Sequence, residues 1–216
     1  MKVFIYIFIP IIMFGLNLAG CDADKDNPVR PESAFTMNEF PMDVNTRWKY
    51  SVQDTIAGIF DTIDVLIFDS TRFPDSHYAT VWFFEGYENS YGRDCVSIFG
   101  DTLKFFHDRS SVADRYLVFP IDVGKRWEFD HTIGFDSVLV VAKESINVPF
   151  GELTAYHIHS ETYPRVMDAF RHSDIWLAPG IGLIRADYAS GTLAGEHHET
   201  RELIEFLPPK EQYQFP

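Results

Sequence analysis

His157 and His159 stand two residues apart in the run Tyr156-His157-Ile158-His159-Ser160-Glu161. In an extended chain, alternate side chains share a face, so His157, His159 and Glu161 would point the same way. Two imidazoles and a carboxylate are ligand types that zinc accepts. One solvated face of an antiparallel strand has the same pattern, and that simpler reading is the expectation: no metal, with Tyr156, Ile158 and Ser160 on the opposing face. His197 and His198 lie between Glu196 and Glu199, but adjacent strand residues face opposite ways and would not chelate together. For nucleophilic catalysis, neither a Gly-x-Ser-x-Gly elbow nor a Ser-x-x-Lys pair occurs. Cys95 opens an alternating run, Cys95-Val96-Ser97-Ile98-Phe99, and reads as a buried small hydrophobe. With 32 Asp and Glu in the chain, an acid–base pair could be drawn almost anywhere, and none is singled out. A phosphate-cradling Gly-rich loop is absent; Ala178-Pro-Gly-Ile-Gly182 carries turn chemistry between two strands. The expectation is therefore no cofactor and a non-catalytic role.

A different chemistry is written at Cys21. Lys2 is followed by an apolar run, Val3 to Ala19, which Pro10 interrupts and Leu18-Ala19-Gly20-Cys21 closes. A short apolar segment behind a basic start reads as a secretion signal, to be set aside in fold reasoning. Leu-Ala-Gly-Cys resembles the lipobox of bacterial lipoproteins. That resemblance implies cleavage before Cys21 and acylation of its sulfur. One acyl chain holds a protein only marginally, whereas several hold it durably. The expected partner is a membrane, reached through acylated Cys21, and the expected location is the bacterial cell envelope.

The chain has 216 residues and a formal net charge of −14. Such an acidic chain is a poor partner for nucleic acid, and its Lys and Arg are scattered singly. Residues 22–33, Asp-Ala-Asp-Lys-Asp-Asn-Pro-Val-Arg-Pro-Glu-Ser, are polar, hold two prolines and lack apolar periodicity, which reads as a flexible tether.

Beyond the tether, strand signals dominate. Short runs rich in Val, Ile, Thr, Tyr, Phe and Trp are bounded by Gly, Asp, Asn, Ser and Pro. About ten to twelve such runs occur, which predicts an all-β fold: a single antiparallel sandwich or (half-)barrel, two similar β halves being one way to build it. Val81–Phe84 and Val138–Ala142 are apolar on both faces and should be covered on both. Glu199–Leu207 holds helix formers but alternates at Ile204 and Phe206, and is read as a strand. The expected boundaries are a signal at 1–20, a tether at 21–36, an all-β domain at 37–207 and a C-terminal tail at 208–216.

One phrase is written twice. Phe40-Pro-Met-Asp-Val-Asn-Thr-Arg-Trp-Lys-Tyr50 recurs as Phe119-Pro-Ile-Asp-Val-Gly-Lys-Arg-Trp-Glu-Phe129. Asp, Asn and Gly are turn residues, and each Trp is followed two places on by an aromatic residue. The unit reads as a tight turn feeding a strand that carries a Trp anchor. Trp48 and Trp127 are thus expected as equivalent buried anchors of two halves, with Trp176 as a third structural anchor.

The phrases Phe119–Trp127, Val148–Leu153 and Trp176–Ile184 resemble a widespread group of uncharacterised exported bacterial proteins and lipoproteins. Their recurrent motifs are Phe-Pro-x-x-Val-Gly-x-x-Trp, Val-Pro-x-Gly and Trp-x-Ala-Pro-Gly-x-Gly. The resemblance spans most of residues 37–206 and implies an antiparallel all-β fold. It carries over no catalytic residue.

Three functions remain open from sequence. The first is a lipid-anchored envelope module that binds or scaffolds an apolar ligand or an envelope protein. The second is a carrier or chaperone of lipids or lipoproteins with an apolar cavity. The third is a hydrolase of envelope polymers.

Overall fold

The structure is a computed structural model. It describes residues 33–72, 78–86, 90–107, 113, 115–131, 134–165, 169–192 and 195–209. The signal at 1–20, Cys21, the greater part of the tether and residues 210–216 of the tail lie outside the described residues.

Twelve strands follow in order: β1 (Arg47–Asp54), β2 (Ile59–Arg72), β3 (Tyr78–Gly86), β4 (Ser90–Phe99), β5 (Thr102–His107), β6 (Arg115–Val118), β7 (Arg126–His131), β8 (Gly134–Val148), β9 (Gly151–Pro164), β10 (Ala169–Ala178), β11 (Gly182–Thr192) and β12 (Gly195–Leu207). All belong to one antiparallel sheet, in the order β6-β5-β4-β3-β2-β1-β12-β11-β10-β9-β8-β7. The sheet curls into a nearly closed barrel. The fold expected from the strand count is thus observed, in its barrel form. Glu199–Leu207 is strand, within β12. Among the described residues no helix is long and apolar enough to cross a membrane.

Alternation explains the inward and outward faces. Along β1, Trp48, Tyr50, Val52 and Asp54 are buried while Arg47, Ser51 and Gln53 face outward. On β1 the outward positions are thus polar and the inward ones, Asp54 apart, apolar. Val138 and Val140 are buried as expected, but Val141 is 42% exposed. Alternation from Val138 and Val140 turns Val141 outward, at a bulge between Val140 and Ala142 in the β8–β9 ladder.

The sheet is two six-stranded meanders, β1–β6 and β7–β12, fused through the β1–β12 ladder. The doubled phrase opens each meander, and its hydrogen bonds repeat. Thr46 N donates to Asp43 O (3.1 Å), as Lys125 N does to Asp122 O (3.0 Å). Asn45 N donates to Ile67 O (2.8 Å), as Gly124 N does to Val140 O (2.9 Å). Asn45 (φ 74°) and Gly124 (φ 85°) occupy the third turn position in the left-handed region, the signature of a type II turn. Trp48 pairs with Val65 and Trp127 with Val138 in matching registers.

β6 and β7 are the two free edges, and side chains rather than a backbone ladder join them. Trp127 Nε1 donates to Tyr116 O (3.3 Å), and the Tyr116 and Phe129 rings lie 4.7 Å apart.

The end at which β1 and β7 begin is plugged by Phe35, Phe40, Phe119, Ile121 and Tyr156, all buried. Phe35 bridges Ile121 through reciprocal backbone hydrogen bonds of 3.0 and 2.8 Å. Sequence reasoning placed Phe35 in the tether, within 21–36. Instead it is core, because its ring fills space between Phe119 and Tyr156. The compact unit begins at Ala34.

Candidate functional site

The plug closes one end of the barrel. Above it lies a cavity of about 150 Å³ whose walls come from both meanders. Trp48 and Trp82 stack at 5.0 Å at its base. Trp48 is held there by its indole, which donates to Ile181 O (2.6 Å). Tyr50 donates its hydroxyl to Leu183 O (2.9 Å). Burial pushes the Tyr50 hydroxyl pKa up, so it stays a neutral donor. Phe105, Phe129, Val138, Ile158 and Leu177 complete the apolar wall. Alternation along each strand accounts for this lining, since every one of these residues sits at an inward position.

Toward the opposite end the walls turn polar. The Ser160 and Ser173 hydroxyls bond each other at 2.8 Å across β9 and β10. Arg201 and Glu199, both inward on β12, form an ion pair, and the Arg201 guanidinium lies 5.2 Å from the centroid of the Tyr188 ring. Arg115 reaches Asp94 (3.1 Å) and covers Phe105 (5.3 Å). The cavity shares Phe84, Arg115, Tyr188 and Arg201 with a wider vestibule of about 450 Å³, lined also by Arg171, Ser190 and His197. At the rim, Asp54 accepts from the backbone N–H groups of Ile56 (2.9 Å) and Ala57 (2.8 Å) and lies 2.9 Å from His197 Nδ1. The Ala57 N–H foremost, then Ile56 and His197, hold its carboxyl below the usual carboxylate range, although desolvation opposes them.

His157, His159 and Glu161 face outward on β9, opposite buried Tyr156 and Ile158. The two histidines are half-buried and networked. His157 Nε2 lies 2.7 Å and His159 Nδ1 2.9 Å from the same atom, Asp174 Oδ1 on β10. His157 Nδ1 is 3.6 Å from Glu144 Oε1, and His159 Nε2 is 3.6 Å from Glu161 Oε1. Among the described residues no three such donors are spaced to hold a metal ion. Partial burial raises the Asp174 pKa, but the His157 and His159 ring nitrogens lower it more, so the carboxyl sits below its ordinary value. Glu161 is held low by the Tyr163 hydroxyl first (2.7 Å) and His159 second.

The three tryptophans occupy different settings. Trp48 is core, at 1% exposure. Trp127 is half-buried at the β6–β7 seam. Trp176 lies on the outer face, stacked on His157 at 4.5 Å, its indole donating to Glu144 Oε1 (2.8 Å), with Arg185 over its ring at 5.1 Å. Trp176 therefore ties outer-face polar groups together and also packs on the core edge. Cys95 is buried, as its place in the alternating run led one to expect. His197 and His198 diverge, toward Asp54 and toward Thr55 (3.2 Å).

Sequence reasoning missed Asp174, Arg201 and Arg115. Arg201 was legible in part: it alternates with Leu203, and a strand that buries Leu203 must turn Arg201 inward. Asp174 had no local signal, because only the β9–β10 pairing sets it opposite His159.

No family model matches the chain, and no curated protein matches it. Among solved structures it is similar to a candidate lipoprotein from Parabacteroides distasonis, at 12% identity and a TM-score of 0.50, over 82% of this chain and 100% of that one. It is also similar to a candidate exported protein with a YmcC-like fold from Bacteroides fragilis, at 15% identity and a TM-score of 0.45, over 81% and 100%. The likeness to the Parabacteroides distasonis protein is one of fold: this chain shares an all-β architecture with a protein described as a lipoprotein.

Proposed function

We propose that the protein is a lipid-anchored module of the bacterial cell envelope, held by acylated Cys21, that binds a ligand non-catalytically inside its barrel. The observation that carries this reading is the cavity, walled by aromatic rings among the described residues. Protein cores are ordinarily filled to organic-crystal density, with few voids larger than a water molecule. A cavity of about 150 Å³ is large enough for a ring-sized guest such as benzene. The lipobox at Cys21 and the resemblance to exported lipoproteins support the anchor. A carrier of whole lipids is less well served, since drug-sized sites already run to about 300–1,000 Å³.

The test is native mass spectrometry of protein extracted gently from its own envelope. A bound mass beyond the acyl groups is expected, and it should vanish in Ile175→Trp, which fills the cavity. Wild-type protein that carries no such mass would count against the binding reading.

A further inference from the structure

The cavity and vestibule differ in charge from the rest of the chain. Acidic residues outnumber Lys and Arg by 32 to 18 overall. Around the cavity and vestibule the count is level: Arg115, Arg171 and Arg201 against Asp94, Asp136 and Glu199. Arg201 is turned into the barrel where the apolar wall ends, and its Nε serves Glu199. A guanidinium has five N–H donors, so Arg201 keeps donors beyond the one Glu199 uses. Arg115 likewise meets Asp94 through one terminal nitrogen. Arg171 lines the vestibule and has no ion-pair or hydrogen-bond partner among the described residues. Spare guanidinium donors at the top of an aromatic-walled cavity match a planar anion, for which Arg is the natural bidentate partner.

Size sets the other half of the ligand. About 150 Å³ holds a single ring or a short branched group. A long acyl chain does not fit, because Trp48 and Trp82 floor the cavity and the Phe35–Phe40–Phe119 cluster plugs the end behind them.

We propose that the site takes a small amphipathic carboxylate, its ring-sized apolar group in the cavity and its anionic group against Arg201 and Arg171. This rests on the reading of the cavity as a ligand site.

The experiment uses the acylated protein in phosphatidylcholine nanodiscs. Binding of 3-phenylpropionate, toluene and palmitate is measured by calorimetry and by the shift in melting temperature. Phenylpropionate is expected to bind at least tenfold more tightly than toluene, and palmitate not to bind in the cavity. Arg171→Gln, an exposed change that orphans no partner among the described residues, should weaken phenylpropionate several-fold and leave toluene unchanged. Arg201→Gln should weaken it at least tenfold, and its circular dichroism reports whether it has folded. Toluene and phenylpropionate binding equally, with Arg171→Gln silent, would overturn the anion preference while leaving the cavity reading intact. Binding of neither probe at millimolar concentration would overturn both. Palmitate competing with phenylpropionate would overturn the size limit.

Discussion

Phe40 and Phe119 meet edge to face, with ring centroids 6.0 Å apart. They hold the same place in the two copies of the doubled phrase. The phrase is doubled because each copy opens one meander and both copies deliver a Phe to the same plug. Aromatic pairs of this kind add about 0.5–1.5 kcal/mol beyond burial.

The two repeat tryptophans should differ in cost. Trp48→Ala removes a fully buried indole and orphans Ile181 O, so a loss of about 3–5 kcal/mol is expected. Trp127→Ala removes a half-buried ring and should cost on the order of 1–2 kcal/mol. Urea unfolding of both variants checks this, and equal losses would contradict the seam position of Trp127.

The left-handed turn positions should respond as a pair. A Cβ at Gly124 meets nothing within 4 Å, so Gly124→Ala carries only the conformational penalty, about 1 kcal/mol. Asn45→Gly should be neutral or slightly stabilising, because Asn already holds φ 74°. Thermal melts of the two variants provide the measurement. A destabilised Asn45→Gly would mean that the Asn side chain does more than tolerate the turn.

Acid should loosen the outer face of β9 and β10. Asp174 has a folded-state pKa below its unfolded value of about 3.9. Its contribution to stability is therefore complete above the unfolded pKa and is lost as pH falls through the folded one. Asp174→Asn should flatten the stability profile below about pH 5, while lowering stability at neutral pH. An unchanged acid limb in the variant would show that the His157–Asp174–His159 contacts carry no net energy.

Cys21 should bear lipid. Intact mass of native protein is expected to begin at Cys21 and to include acyl groups. In Cys21→Ala the domain should still fold, since the compact unit starts at Ala34, but membrane retention should be lost. A native mass that begins at Met1 would refute the processing.

Local pattern determined much of this protein. Period-two alternation marked the strands, because a strand with one face in the core must alternate. It also placed His157 and His159 outward and Tyr156 and Ile158 inward. The turn residues Asp43, Asn45, Asp122 and Gly124 announced two equivalent turns, since left-handed backbone is open to few residue types. Lys2 and the Leu-Ala-Gly-Cys phrase set the envelope expectation without any fold at all. What alternation does not encode is which strands become neighbours. The β1–β12 ladder, the plug that captures Phe35, the cavity above Trp48 and Trp82, and the Asp174 oxygen shared by two histidines all depend on long-range pairing. Those contacts arise when a twisted twelve-stranded sheet curls back on itself. Curling is a property of the whole sheet, so alternation could turn Arg201 inward but no window of sequence set Trp127 at its seam.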